Sequence, residues 1–283
     1  MGRAAVRGAY ALADGHDRLP QMCPGAKSSQ EALTPGRDLL ADLYPEVGAG
    51  GFSRVDGTVA FYQRVNALLD PSMTVADFGA GRGRAAEDPA GYRRDLQVLR
   101  GKVASVVGLD IDEAVQENPN VDRAHVVTSG QPLILEHASV DLIVSDFTFE
   151  HVTDPGWAAG ELTRILRPGG WLCARTPNRW GYIGIPTRLV PNRFHDGVLQ
   201  WAQPQKQARD TFPTAYRLNS WAQLRRHFPV TAFDDFSYAV DSEPAYFGSS
   251  RLAWRTMQGV FALTPPTLRS MLFVFLRKKD VTG

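Results

Sequence analysis

Apolar residues in this chain gather into short runs separated by polar turns, and the spacing inside each run predicts an element. Val55, Val59, Tyr62, Val65 and Leu68 or Leu69 recur at helical intervals, which predicts an amphipathic helix over 55–69. Val75 to Phe78, Val106 to Asp110, Val140 to Asp146 and Trp171 to Arg175 are compact, mostly apolar runs whose far ends are polar or aromatic. Runs of that kind read as strands of a parallel sheet buried on both faces. Leu166-Arg167-Pro168-Gly169-Gly170 predicts the end of a helix and a turn into the last of these strands. Asn219-Ser220 predicts an N-cap for a helix reaching about His227. Val230–Phe236 and Met271–Leu276 predict two more strands, with a helix over 250–263 between them. Strands alternating with helices make this an α/β chain.

The remaining stretches are less regular. Residues 1–45 are rich in Ala, Gly, Pro and polar side chains and are expected to form a partly disordered tail. Residues 84–102 are longer and more charged than a minimal connecting helix, which predicts an extra turn ahead of it. From Arg179 to Pro213 the sequence holds Trp180, Tyr182, Pro186, Phe194, Trp201 and Phe212 with no sustained period. Loops beyond roughly 12–15 residues in compact domains are usually functional or disordered, and aromatic content argues against disorder. The expected organisation is a tail over 1–45, a core over 46–178, a covering insertion and helix over 179–228, and closing strands over 229–283.

Composition narrows the class. With 283 residues, 43% of them hydrophobic, the chain can bury a sizeable core. A formal net charge of +1 supplies no basic excess for a nucleic-acid partner. The two cysteines, Cys23 and Cys173, are far apart and suggest neither a disulfide framework nor a zinc site, so a reducing cytoplasm is the default. No stretch approaches about 18 apolar residues and no leader-like apolar core is evident, so no membrane span is expected, although peripheral association stays open.

The chemistry concentrates at Asp77-Phe78-Gly79-Ala80-Gly81-Arg82-Gly83. An acid at a strand end precedes three alternate glycines, which permit a sharp turn and let a ligand lie against the backbone. A dinucleotide loop of the form G-x-G-x-x-G would need glycine where Arg84 stands, which disfavours a nicotinamide oxidoreductase. The acid two residues before the first glycine suits a ligand bearing an ammonium group. This D-x-G-x-G-x-G stretch resembles the first motif of the class I S-adenosylmethionine-dependent methyltransferases. Val106–Asp112, Ser139–Phe147 and Leu166–Arg175 extend the resemblance, in order, over 75–178.

The resemblance implies a Rossmann-like seven-stranded methyltransferase sheet with helices on both faces, its last strand antiparallel, and an aromatic-rich insertion after the fifth strand. It implies S-adenosyl-L-methionine as cofactor, held by Asp77, Phe78, Gly79, Ala80, Gly81 and Gly83, with Asp110 on the ribose, Ile111 against adenine, and Asp146 and Phe147 lining the site. Many relatives carry an acid before the fourth strand; here Thr128-Ser129-Gly130-Gln131 stands there, leaving that contact to Ser129, Gln131 or backbone. Phe149-Glu150-His151-Val152 resembles a motif of ubiquinone-pathway O-methyltransferases, some of which hold a divalent metal there. The corresponding upstream position here is Phe147, so no metal is expected.

The acceptor is expected to be a small molecule or a glycan- or lipid-linked group, methylated at oxygen. Trp180, Tyr182, Phe194 and Tyr216 are its expected contacts. His151 is the first candidate for a general base and His195 the second, since an oxygen acceptor must lose a proton and histidine has a suitable pKa. A non-catalytic binding protein on the same fold is the alternative.

Overall fold

The computed structural model describes residues 40–182, 214–243 and 250–280. The chain enters through helix α1 (Gly57–Ala67), capped by Asp56, whose carboxylate accepts the amides of Thr58 and Val59 at 2.8 and 3.0 Å. Strand β1 (Thr74–Phe78) follows, then a 3-10 turn (Arg84–Glu87), helix α2 (Gly91–Gln97) and strand β2 (Ser105–Asp110). The extra turn expected between 84 and 102 is that 3-10 turn, separated from α2 by Asp88, Pro89 and Ala90. Beyond lie β3 (Arg123–Val126), β4 (Val140–Asp146), α3 (Pro155–Ile165), β5 (Leu166–Pro177), α4 (Trp221–His227), β6 (Phe233–Asp235), β7 (Tyr238–Val240), α5 (Arg251–Leu263) and β8 (Met271–Lys278).

The strands form one sheet in the order β3-β2-β1-β4-β5-β8-β6, with β7 also paired to β8. β1 to β5 are mutually parallel, and β8 runs antiparallel to β5, β6 and β7. Seven positions across the sheet were expected, and eight strand segments occupy them because the edge position beyond β8 is divided. Phe233–Asp235 pairs with one half of β8 and Tyr238–Val240 with the other. Between them Ser237 turns its side chain to the ladder, its Oγ accepting the Phe275 amide at 3.0 Å.

Side chains alternate across the sheet and build a core on each face. Ala76, Phe78, Ile143, Leu172 and Val274 face one way, onto Ala158, Leu162 and Ile165 of α3 and Leu224 of α4. Val75, Leu142, Val144, Cys173 and Phe273 face the other, onto Phe61 and Val65 of α1. Leu142 and Ile143 are fully buried, so β4 stabilises both layers at about 1.5–3 kcal/mol per side chain. Helices therefore cover both faces.

One turn falls in an unexpected place. Helix α3 ends at Ile165 and the chain is already extended at Leu166, which pairs with Val140. The register then shifts, so that Leu142 faces Trp171, and Pro168-Gly169-Gly170 forms a bulge inside β5 rather than a turn before it. Among the described residues no helix is long and apolar enough to cross a membrane. Residues 1–39, most of the 179–213 segment and residues 281–283 lie outside the described residues, as do Phe194 and His195.

Candidate active site

Parallel strands with helices on both faces leave their carboxyl ends open, and ligands of such sheets bind along that edge. Three adjacent strands each end here in an acid: Asp77 near the end of β1, Asp110 at the end of β2, Asp146 at the end of β4. The glycine loop leaves β1 between them. Gly79, Gly81 and Gly83 all have positive φ, at 86°, 51° and 82°.

The three glycines have different physical reasons. A Cβ on Gly79 would lie 1.9 Å from Thr148 Oγ1, and one on Gly83 would lie 2.3 Å from Asn118 Oδ1. Those two positions are closed by protein. A Cβ on Gly81 would meet nothing within 4 Å, so the backbone at Gly81 faces open space. Gly79 donates its amide to the Leu109 carbonyl at 2.7 Å, and Gly81 donates to Asp110 Oδ2 at 2.8 Å. From the far side Asn118 Nδ2 donates to the carbonyls of Ala80 and Gly81, at 2.9 and 3.1 Å, and Asn120 Nδ2 donates to that of Gly83 at 3.0 Å. The loop is thus held along its length, and of its three glycines Gly81 alone turns its α-carbon to open space.

Charge on this edge is unevenly matched. Asp146 receives a two-point contact from buried Arg175 on β5, Nε and Nη2 donating at 2.6 and 2.7 Å. Arg175 Nη1 also donates to Thr58 Oγ1 at 2.9 Å, and the guanidinium lies 4.6 Å from the Phe147 ring centre. Asp77 has no ion pair among the described residues. Burial first, then the neighbouring carboxylates of Asp146 and Asp110, push it up to about 7. Burial and the same acids, Asp146 and Asp77, also raise the Tyr62 phenol, so α1 contributes a side chain to this acidic cluster.

The other expected site residues are distributed around this cluster. Phe78 sends its side chain into the core while its carbonyl accepts from Ser145 Oγ at 2.9 Å. Ala80 packs against the α1 side of the sheet. Ile111 stands 62% exposed beside Asp110, and Phe147 is 42% exposed with a positive φ of 54°. His151 follows β4 in the next loop, its amide donating to the Thr148 carbonyl at 2.9 Å. Its neighbour Glu150 is buried, accepts from Thr176 Oγ1 at 2.9 Å, and its carbonyl receives the amides of Ala215 and Tyr216. That places Tyr216, with φ of 50°, at the end of β5 near His151. Trp180 is 48% exposed with Arg179 over its ring at 5.2 Å, whereas the Tyr182 ring packs 5.0 Å from Phe261 of α5.

Several residues of this edge carried no earlier expectation. Asn118 and Asn120 sit in an unremarkable Asn-Pro-Asn turn, Tyr62 occupies an ordinary helix-stripe position, and Arg175 looks like a solvated strand end. A polar turn just after the second strand was the one available signal. Asp141 serves the opposite end of the sheet, accepting the Thr74 amide at 2.8 Å and Arg167 Nη1 at 2.6 Å.

The chain is similar in sequence to known methyltransferases. The methyltransferase domain family matches residues 76–174. A probable S-adenosylmethionine-dependent methyltransferase of Mycolicibacterium smegmatis is 37% identical over 119 residues, covering 40% of this chain and 44% of that protein. A ubiquinone biosynthesis O-methyltransferase of Thiobacillus denitrificans is 30% identical over 154 residues, covering 48% and 60% respectively. The chain thus spans about half the length of the curated relatives it matches. A crystal structure of a SAM-dependent methyltransferase from Aquifex aeolicus aligns at 15% identity with a TM-score of 0.42, over 87% of this chain and 98% of that one. Over residues 76–174 the chain is thus similar to the methyltransferase domain family and to proteins described as S-adenosylmethionine-dependent methyltransferases.

Proposed function

We propose that this chain is a methyltransferase that moves a methyl group from S-adenosyl-L-methionine to a small-molecule or glycan- or lipid-linked acceptor, at oxygen. The observation that carries the reading is the open face of Gly81 amid three strand-end carboxylates. A ligand there can approach the backbone closely, and its positive charge would offset the burial and the carboxylate repulsion that together push the Asp77 pKa up. The residues present fit such a cofactor. Asp77 and the loop from Gly79 to Gly83 would hold its amino-acid end, Asp110 its ribose hydroxyls, and exposed Ile111 its adenine face, with Asp146 and Phe147 bordering the reacting end. S-adenosyl-L-methionine, when bound, supplies a methyl group already activated by its sulfonium.

The protein's share of the work is alignment, exclusion of water and removal of the acceptor's proton. Arg175 fixes Asp146 and Phe147 in place through the contacts described above. His151, in the loop after β4, is the candidate for proton removal among the described residues; His195 is the other candidate. Trp180, Tyr182, Phe194 and Tyr216 are proposed to form the acceptor's cover, with the 179–213 segment between them. Calorimetric titration with S-adenosylhomocysteine and with NADH tests the cofactor, and an acceptor screen with labelled methyl donor tests turnover. Binding of NADH but not S-adenosylhomocysteine would overturn the reading.

A further inference from the structure

A cavity of about 160 Å³ opens between the start of α1 and strand β8. Phe147 and Arg175 form part of its lining, and Arg175 is the residue that holds Asp146, so the cavity adjoins the edge where the glycine loop lies. Phe147, Met271 and Phe273 supply its apolar surface. Gly57 borders it on α1. A Cβ there would stand 3.2 Å from Ser242 Cβ and 3.8 Å from Arg175 Nη1. Gly57 opens a helix, where its backbone does not require glycine, but a side chain there would crowd Ser242. Its missing side chain keeps that wall open.

Two arginines in the lining would suggest an anion site, but their charge is already matched. Arg175 gives Nε and Nη2 to Asp146 and Nη1 to Thr58. Arg93 gives Nε and Nη2 to Asp88, at 2.6 and 2.8 Å, and Nη1 to Asp56 at 2.8 Å. Glu243 is left over. Ser53 Oγ donates to its Oε1 at 2.6 Å, and no cation pairs with it among the described residues. Burial, with Asp56 adding and Arg93 opposing, pushes its pKa up, the response of a carboxylate short of positive charge. The charged groups lining the cavity are thus two guanidiniums, each paired, and two carboxylates, Asp56 and Glu243, with Asp88 and Asp146 reached only through the arginines they pair with.

We propose that this cavity seats the acceptor, and that it takes a single-ring group presenting an amine or hydroxyl donor to Glu243 while rejecting carboxylate and phosphate. The proposal rests on the methyl-transfer reading for the word acceptor. The ligand class follows from the cavity alone. Its volume matches one ring, since apolar cavities near 150 Å³ take benzene.

The test uses the full chain at pH 8, with benzylamine, benzyl alcohol and benzoate as probes, followed by ligand-observed NMR with and without saturating S-adenosylhomocysteine. Benzylamine and benzyl alcohol are expected to bind in the millimolar range and benzoate at least tenfold more weakly. Gly57→Leu should abolish binding of both. Glu243→Gln should weaken benzylamine at least tenfold and benzyl alcohol less than threefold, because the amide oxygen still accepts a hydrogen bond. Affinity for S-adenosylhomocysteine should stay within threefold in both variants. Benzoate binding as well as benzylamine, no probe binding to the wild type, or probe binding insensitive to Glu243→Gln would each overturn the proposal. Failure of S-adenosylhomocysteine to bind the wild type would instead overturn the methyl-transfer reading, and the titrations without it still read the cavity.

Discussion

Asp110 accepts the amide of Gly81 at 2.8 Å, so the acid at the end of β2 fixes the one loop glycine whose α-carbon faces open space. Its other oxygen accepts the Asp112 amide at 2.9 Å. The carboxylate is thereby oriented before any ligand arrives, with lone pairs to spare for hydroxyl donors. Asp110→Ala should lose both the ligand bonds and the loop tether. Charge-assisted bonds of this kind contribute about 1.5–3 kcal/mol each, so S-adenosylhomocysteine affinity should fall at least tenfold. A 2′-deoxy analogue should discriminate wild type from mutant: it should bind worse than the parent ligand in wild type and nearly as well in the mutant. Equal discrimination by both proteins would move the ribose role to another residue.

Gly81 and Gly79 should respond differently to a side chain. Gly81→Val puts a branched group into open space at φ of 51°, so the fold should survive with a modest stability loss while S-adenosylhomocysteine binding disappears. Gly79→Ala drives a Cβ into Thr148 and should chiefly lower the melting temperature. Calorimetry beside thermal melts separates the two. Retained affinity in folded Gly81→Val would remove the loop from the site.

Asp77 makes the apo protein pH-sensitive. Its folded pKa of about 7 lies above the ordinary 3.8, so between those values the native state holds a proton that the unfolded chain has released. Stability must then fall as pH rises through that window and level off above it. Asp77→Asn should flatten the fall, leaving the variant more stable than wild type at pH 8 and similar near pH 4. Bound S-adenosylhomocysteine, whose ammonium favours the ionised acid, should release a proton at pH 6.5, visible as a buffer-dependent binding enthalpy.

Asn118 holds the loop from behind. Asn118→Asp keeps the oxygen that accepts the Asn120 amide but removes the donor to Ala80 and Gly81. Leaving those carbonyls unmatched should cost about 1–3 kcal/mol in urea unfolding. An unchanged transition would mean that water replaces the bonds without loss.

Buried Arg175 pairs with partly buried Asp146, so removing one partner should hurt more than removing both. Arg175→Met should cost about 3–5 kcal/mol, and Arg175→Met with Asp146→Leu should recover part of that loss. Additive losses in the double variant would contradict a coupled pair.

Much of the sheet could be read from the sequence because β1, β2, β4 and β5 are buried on both faces and therefore spelled as apolar runs. The division between β6 and β7 could not, since exposed Phe236 looks like a continuation of the apolar run rather than its interruption. The bulge at Pro168–Gly170 has the composition of a turn, and only its pairing with β4 shows it to be part of a strand. At the site, the glycines and acids were legible because backbone geometry demands those residue types. Asn118 lies 38 residues from the carbonyl it holds, and Tyr62 reaches the acids from a helix, so neither role leaves a local pattern. The cavity beside Gly57 draws on residues from α1, α2, β5 and β8 and from the segments just after β4 and β7, which no linear motif joins.

Strand β8 lies between β5 and the β6–β7 pair, yet it is made after both. During synthesis, β5 must therefore wait with one edge unpaired until residues 271–278 have left the ribosome. Edges left open in this way invite pairing with other chains. The nascent protein is most exposed to aggregation in that interval, and slowing translation between residues 240 and 270 should lower soluble yield without changing a single side chain.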